Sequence, residues 1–399
     1  MTQELAINGG KPIRDKMLPY GHQWIDEEDI EAVSEVLHSD WITQGPKVSE
    51  FEEEFAKYVG AKYAVAVNSG TAALHAACFA AGINKGDEVI TTPITFVASA
   101  NCVLYQGGTP LFADIKEDTL NISPEEIRKK ITKKTKALMP VDFTGLPVDL
   151  EEIQKIADEK NLIIIEDASH ALGATYQGKK IGSISDMTIF SFHPVKHITT
   201  GEGGMITTNN EKYYKRLKLF RTHGITKEKD RLLNYEGPWY YEMQELGYNY
   251  RLTDFQCALG ISQLKKIDKI IQRRREIVQK YNCEFKNMSE IKISQINPAD
   301  SNPAWHIYMI QLNLERLKVG RREIFEALRA ENIGVNVHYI PIHLQPYYKK
   351  RFGYRLGDFS KAENYYSRAI TLPVFPKMSD KDIDDVVAVV KKVINYYKK

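Results

Sequence analysis

Between Tyr63 and Asp167 the chain alternates two kinds of segment, and that alternation restricts the fold more than any other feature. Five short apolar runs read as strands: Tyr63 to Val67, Glu88 to Thr92, Pro110 to Asp114, Ala137 to Val141, and Leu162 to Asp167. The stretches between them have helical spacing: Ala72 to Ala81, Phe96 to Tyr105, Pro124 to Ile131, and Leu150 to Lys160. Repeated strand–helix units of this length predict a mostly parallel sheet with helices on both faces. The expected fold class is α/β, a three-layer αβα large domain followed by a smaller α+β domain. In such sheets ligands sit at the carboxyl ends of the strands.

The fifth run, Leu162-Ile163-Ile164-Ile165, ends in an acidic pair, Glu166-Asp167. Neighbours on a strand point to opposite faces, so only one of the two acids faces a ligand. Downstream, Ile189 to Phe192 reads as another strand and Met205 to Thr208 as its successor, with Lys196 and the turn Thr200-Gly201-Glu202-Gly203-Gly204 between them. A lysine held in a partly dry pocket has a lowered pKa and can attack a carbonyl to form a Schiff base. A Schiff-base lysine with a carboxylate for a pyridinium nitrogen is the signature of pyridoxal phosphate. Asn68-Ser69-Gly70-Thr71, between the first strand and its helix, adds free amides and hydroxyls at a helix start, which suits a phosphate. It equally suits an ordinary helix cap.

The flanks are less regular. A helix is expected from Asp26 with Ile30, Val33 and Leu37 as its apolar stripe, and another with Val48, Phe51, Phe55 and Tyr58, ended by Gly60. Gln177-Gly178-Lys179-Lys180 reads as a hairpin. The span from Gly224 to Gly247 is charged and aromatic without a period, as in a lid or an inter-subunit loop. Thr253 caps a long helix, along which the domain boundary is placed: 1–265 as the large domain, with the first ~25 residues free to pack elsewhere, and 266–399 as the small one. The small domain reads as strands Ile307 to Leu312 and Val335 to Tyr339, a helix Arg321 to Glu331, and helices from Ser360 and Ser379.

A formal charge of +2 over 399 residues gives no reason to expect a nucleic-acid or membrane partner. The four cysteines, Cys78, Cys102, Cys257 and Cys283, have no metal-binding or disulfide spacing and fit a reducing compartment. No metal is expected. Met1 to Lys16 lacks the apolar core of a signal peptide, and no run is long enough to span a bilayer, so a cytoplasmic location is expected.

Taken in order, Asn68-Ser69-Gly70-Thr71, Thr92-Pro93-Ile94-Thr95-Phe96, Glu166-Asp167-Ala168-Ser169-His170-Ala171, Ser191-Phe192-His193 with Lys196, Thr200 to Gly204, Gly247-Tyr248-Asn249-Tyr250-Arg251 and Val337-His338-Tyr339-Ile340-Pro341 resemble one family over nearly the whole chain. It is the DegT/DnrJ/EryC1/StrS-like family of fold-type I pyridoxal phosphate enzymes, the aminotransferases of nucleotide-linked keto-hexoses. Ile90 to Ile94, Ser169 to Gly173 and Lys196 to Thr200 bring it nearest to the C4 aminotransferases of the pseudaminic acid pathway. The resemblance implies Lys196 as the Schiff-base lysine and proton carrier, Asp167 at the ring nitrogen, His170 at the ring 3-oxygen and Phe96 stacked on the ring. It implies Gly70, Thr71 and Ser191 at the phosphate, with Asn249 reaching that phosphate from the neighbouring subunit of a homodimer. Trp41, Thr43, Gly45, Arg251 and His338 are the residues expected near substrate. The implied reaction moves an amino group from L-glutamate to the 4-keto carbon of a UDP-linked 2-acetamido-2,6-dideoxy-hexos-4-ulose. A dTDP- or GDP-linked acceptor, amination at carbon 3, and a non-catalytic regulator keeping the fold are the alternatives. The family also holds dehydratases with histidine in place of the lysine, and His197 adjoins Lys196. The absence of G-x-G-x-x-G after the first strand argues against a dinucleotide-binding protein.

Overall fold

The computed structural model describes residues 4–293 and 300–399; of the N-terminal stretch read above, residues 1–3 lie outside it. Seven strands form the main sheet, in the order Tyr63–Val67, Gly204–Thr208, Met187–Ser191, Ile163–Asp167, Thr135–Met139, Glu88–Thr91, Thr109–Phe112. Gly204–Thr208 is antiparallel to both its neighbours, and the remaining pairings are parallel. The Lys196 segment joins two adjacent antiparallel strands, and so it lies beside the carboxyl end of the Asp167 strand.

Strand alternation builds two cores. Val65, Val67, Ile165, Met187 and Ile189 pack under the helices Gly70–Ala80, Ala98–Tyr105 and Glu211–Arg221. Ala64, Ala66, Ile164, Phe190 and Met205 face the other way, onto Phe51, Phe55, Ile153 and Ile261. These are the two outer layers expected of a doubly covered sheet.

A third core gathers the three-stranded antiparallel sheet Ile291–Ile293, Tyr308–Leu312 and Ala369–Leu372 with the helices Arg321–Ala330 and Asp380–Tyr397. Leu5 and Leu18 belong to this core too. Glu331 fastens the N-terminal stretch there: it is fully buried, accepts from the amides of Ala6 (2.9 Å) and Ile13 (3.0 Å), and pairs with Lys392 (2.7 Å). The long helix breaks at Lys266 into Asp254–Lys265 and Ile267–Phe285. We propose that break as the boundary between domains 1–265 and 266–399, with the first residues crossing to the second.

Two expectations need correction. In the helix Glu27–Leu37 the stripe residues Ile30 and Leu37 are exposed. The buried face carries Asp29 instead, whose carboxylate takes hydrogen bonds from Ser262 (2.7 Å), Gln263 (2.7 Å) and Lys266 (2.8 Å). Val335 to Tyr339 is not a strand: within it a single residue, Asn336, bridges to Thr371. Within the span 224–247, read as a loop, Ile225–Thr226 pairs with Glu242–Met243 as a short hairpin arm.

Candidate active site

A cavity of about 630 Å³ opens where the Asp167 strand, the Lys196 loop and the helix starting at Gly70 converge. Its wall includes Gly70, Thr71, Phe96, Asp167, His170, Ser191, Lys196 and His338, all singled out from sequence. Trp41, Thr43, Gly45, Asn249 and Arg251 do not line it. The first three belong to a segment held on the helix Asp254–Lys265, where Asp254 accepts from the amide of Gly45 (2.7 Å) and Thr43 bridges to Thr253. Asn249 is exposed, and its carbonyl accepts from the Asn68 side chain (3.3 Å).

Lys196 stands on a rigid loop. Its amide donates to His193 O (2.9 Å), and Thr199 Oγ1 donates to Phe192 O (3.0 Å) while accepting from Gly201 N (2.9 Å). Phe192 anchors the loop against Phe51 and Phe55. Gly204 has to be glycine: a Cβ there would stand 2.5 Å from Ser69 O, so the loop could not close on the Ser69-Gly70 turn. Burial pushes the Lys196 amine down to about 8, against a partial upward pull from the Asp167 carboxylate. His197 turns away from the cavity, donating Nε2–H to Ala304 O (3.2 Å). The lysine, and not its neighbour, faces the site.

Asp167 is buried at its strand end. Ser99 donates to one carboxylate oxygen (2.6 Å) and Ser169 to the other (2.6 Å from Oγ, 3.2 Å from the amide). Glu166 lies on the opposite face, beyond reach of the cavity, accepting from Thr188 Oγ1 (2.9 Å). Burial raises its pKa and that of the adjacent Asp142, and each keeps one oxygen without another partner among the described residues. One proton shared by the two acids fits both observations.

His170, His306 and His338 line the cavity with Lys196, and His197 lies behind it. His170 and His306 rings are 4.3 Å apart, His170 Nε2 meets Tyr339 Oη at 3.2 Å, and His338 Nδ1 meets Thr371 Oγ1 at 2.9 Å. Burial, with Lys196 nearby, holds His170 and His306 well below the ordinary imidazole value; it takes His338 to about 4 and also lowers His197. All four are neutral at physiological pH. His338 therefore suits a sugar hydroxyl or carbonyl and not an ion pair with a carboxylate.

The residues present fit pyridoxal phosphate. Ser69 caps the helix through Ala72 N (3.0 Å), leaving the amides of Gly70 and Thr71 for an anion at the positive helix end. A Cβ at Gly70 would meet Ser191 Cβ at 2.9 Å, so the bare backbone keeps the Ser191 hydroxyl against this cradle. Phe96 is 57% exposed, a flat apolar wall with nothing packed on its open face. Among the residues that sequence reading gave no role, Ser99 and Ser169 carried a signal. They lie in the first turn of the helix Ala98–Tyr105, three residues past Phe96, and two residues past Asp167, respectively. His306 carried none, because only tertiary packing brings it to the site.

The sequence matches the DegT/DnrJ/EryC1/StrS aminotransferase family over residues 23–391. The chain belongs to that family. This aminotransferase is 42% identical to a UDP-4-amino-4,6-dideoxy-N-acetyl-beta-L-altrosamine transaminase of Campylobacter jejuni, over 96% of this chain and 100% of that one. It is 45% identical to the spore coat polysaccharide biosynthesis protein SpsC of Bacillus subtilis, over 96% and 98%. The solved structure of Helicobacter pylori PseC, an aminotransferase involved in the biosynthesis of pseudoaminic acid, superposes with a TM-score of 0.89 at 35% identity. That superposition covers 96% of this chain and 100% of the other.

Proposed function

We propose that this aminotransferase uses pyridoxal 5′-phosphate to carry an amino group from L-glutamate to carbon 4 of a UDP-linked 2-acetamido-2,6-dideoxy-hexos-4-ulose. The carrying observation is the placement of the Lys196 amine, the Asp167 carboxylate and the Gly70–Thr71 amide cradle around one cavity. The Campylobacter and Helicobacter relatives support the choice of acceptor. When bound, the cofactor supplies a conjugated electron sink that takes an amino group from one substrate and yields it to the next.

The protein's own groups do the rest. Gly70, Thr71 and Ser191 hold the phosphate. Phe96 covers one ring face and His170 contacts the ring edge. Asp167, fixed by Ser99 and Ser169, keeps a negative charge beside the ring nitrogen. Lys196 Nζ, with a pKa near pH 8, takes a proton from the substrate carbon and returns it, a task matched to its pKa. The paired thiols Cys78 and Cys102, buried with sulfurs 3.7 Å apart, fit the reducing cytoplasm.

A second reading takes another nucleotide-linked keto-hexose, dTDP- or GDP-linked or aminated at carbon 3, as acceptor, since the spore-coat relative is named for polysaccharide biosynthesis and for no particular sugar. A panel of UDP-, dTDP- and GDP-linked keto sugars with glutamate, read by mass spectrometry, separates the two. Exclusive conversion of a dTDP- or GDP-linked sugar would overturn the UDP assignment.

The same reading makes the site a dimer property. Apart from histidines, Lys196 is the one cationic side chain in the cavity wall among the described residues, so the carboxylates of glutamate need a cation from elsewhere. The arm at 225–243 exposes Leu233, Trp239 and Met243, and Ile30, Leu37 and Trp41 are exposed as well, apolar surface of the kind subunit contacts cover. We assign Asn249 to the partner's phosphate. Mixing Lys196→Ala chains with Asn249→Asp chains, each weak alone, should restore up to about a quarter of full activity. Half the re-formed dimers are then mixed, and each holds one intact site. No recovery despite verified exchange would place the whole site within one chain.

A further inference from the structure

The helix Ile267–Phe285 carries three arginines in a row, and they meet three different surroundings. Arg273 pairs with Glu276 (3.3 Å) and Asp380 (2.7 Å). Arg275 is half-buried and donates to Pro303 O (3.2 Å). Arg274 turns inward and is 1% exposed, one of the largest fully buried side chains of the protein. It has no ion-pair partner among the described residues. Burial draws the guanidinium down to about 9, with no carboxylate to pull it back, so it stays charged at neutral pH. Its Nη1 reaches three main-chain carbonyls instead, Trp305 O (3.2 Å), His306 O (3.0 Å) and Val374 O (3.0 Å). Its Nε keeps no partner among the described residues.

The first two carbonyls belong to the turn that brings His306 to the cavity. Trp305 has a φ of 51° and faces Thr144, with a φ of 66°. The two loops meet through Ala304 N to Gly145 O (2.9 Å) and His306 N to Thr144 O (2.8 Å). Positive φ is uncommon outside glycine and disfavoured for a β-branched threonine, so such a turn persists only where its surroundings over-determine it. Arg274 holds it from one side and the Thr144 loop from the other. His306 then lines the cavity with its ring 4.3 Å from that of His170, and the guanidinium stands directly behind that wall.

A buried charge without a counter-ion destabilises a fold, and a hydrocarbon of similar length would fill the same space without that burden. Desolvated charges of this kind gather where chemistry needs a field. At Lys196 two charges act in opposite directions. The Asp167 carboxylate favours the ammonium, and Arg274 disfavours it, in the same direction as burial. The other titratable groups facing the amine do not match them. His170, His197, His306 and His338 are held neutral, burial keeps Tyr339 protonated, and His193 and Glu202 lie exposed at the rim.

We propose that Arg274 is a positioning residue for the active site: its guanidinium clamps the His306 turn, and its unneutralised charge opposes Asp167 at the Lys196 amine, easing the loss of that amine's proton. The proposal rests on the reading of Lys196 as the reacting amine. It assigns the tuning of that amine to a side chain outside the cavity wall.

Two midpoints report the proton on Lys196. One is the pH titration of the bound cofactor's visible absorbance in the loaded enzyme; the other is the pH dependence of cofactor loading once the cofactor has been removed. Arg274→Met and Arg274→Gln both delete the charge, and Gln keeps an amide donor for the carbonyls should the Met variant fail to fold. Both midpoints should rise by roughly half a pH unit or more, with loading at pH 7 about threefold slower, because a like charge that disfavoured the ammonium is gone. Arg274→Lys keeps a cation among the same carbonyls and should hold both midpoints near those of the parent. Asp167→Asn should move the loading midpoint the other way. An arginine that serves the fold alone would lower the melting temperature of all three Arg274 variants with both midpoints in place, and that result would overturn the proposal. So would an equal rise in the Lys variant, which would trace the effect to the turn and not to the charge. A parent enzyme without a pH-dependent band, or a Lys196→Ala variant that keeps one, would remove the reading of Lys196 and the proposal with it.

Discussion

Replacing Lys196 with alanine should abolish amino transfer and, at neutral pH, leave a cofactor-free protein more stable than the unaltered chain. Both effects have one origin. The amine sits where burial disfavours its charge, so its pKa falls from 10.5 to about 8. In the unfolded chain the ordinary value returns, and between pH 8 and 10.5 the unfolded state binds more protons than the native one. Stability therefore rises with pH across that window. Below pH 8 the native protein carries the cost of a charged amine in a partly buried wall, at most about 3 kcal/mol for a drop of this size. Alanine removes that cost. Denaturant unfolding at pH 6.5 should favour the variant by up to that amount, and the advantage should shrink to nothing by pH 10.5. Catalysis moves the other way: without Nζ there is no covalent anchor and no proton carrier, so the visible absorbance of the bound cofactor and its response to glutamate should both be lost. Turnover near the original rate, or an unchanged stability difference across that pH range, would show that Lys196 is a solvated surface residue.

The parts of this architecture that were legible in the sequence are those set by local periodicity. The strands ending at Asp167 and Ser191 follow from apolar runs bounded by turns, and the mostly parallel pairing follows from strand–helix alternation, whereas the order of the strands in the sheet does not. Gln177 and Gly178, both with positive φ (48° and 74°), close the hairpin expected there. What escaped is what tertiary contacts decide. The helix Glu27–Leu37 turns an aspartate inward because Ser262, Gln263 and Lys266 satisfy it, so the apolar-inside rule selects the wrong face. Around Asn336 the chain looks β-like but meets Thr371 at a single bridge, since Tyr339 and His338 are drawn toward His170 and Thr371 side chains instead. At the site, Asp167 was readable because it ends a recognisable strand, and Lys196 because its loop joins two recognisable strands. His306 was not, because its place beside His170 depends on a loop whose Thr144 carbonyl receives the His306 amide (2.8 Å) from 162 residues away in the chain.

Asp167→Asn should keep the fold and the bound cofactor while lowering turnover by three orders of magnitude or more. The substitution is nearly isosteric, and the hydroxyl of Ser99 or Ser169 can rotate to accept from the new amide, so no buried polar group is stranded. What disappears is the charge. A buried carboxylate against a ring nitrogen is a charge-assisted contact in a low-dielectric site, and losing several kcal/mol of barrier stabilisation costs tenfold in rate for each ~1.4 kcal/mol. Glu166 cannot take over: it points into the opposite layer, bound by Thr188, and burial favours its neutral form. The same substitution carries a second, independent signature. Asp167 is the group that pulls the Lys196 pKa upward against burial. Removing it should move the amine further below 8, so the rate at which cofactor loads onto the empty variant should reach its plateau at lower pH than in the parent. A purely structural aspartate would leave that midpoint in place. Stopped-flow loading across pH 6 to 10, with the glutamate half-reaction followed by absorbance, reads both effects. Turnover within a factor of a few of the parent, with an unmoved loading midpoint, would mean that Asp167 neither faces the ring nitrogen nor sets the field at Lys196.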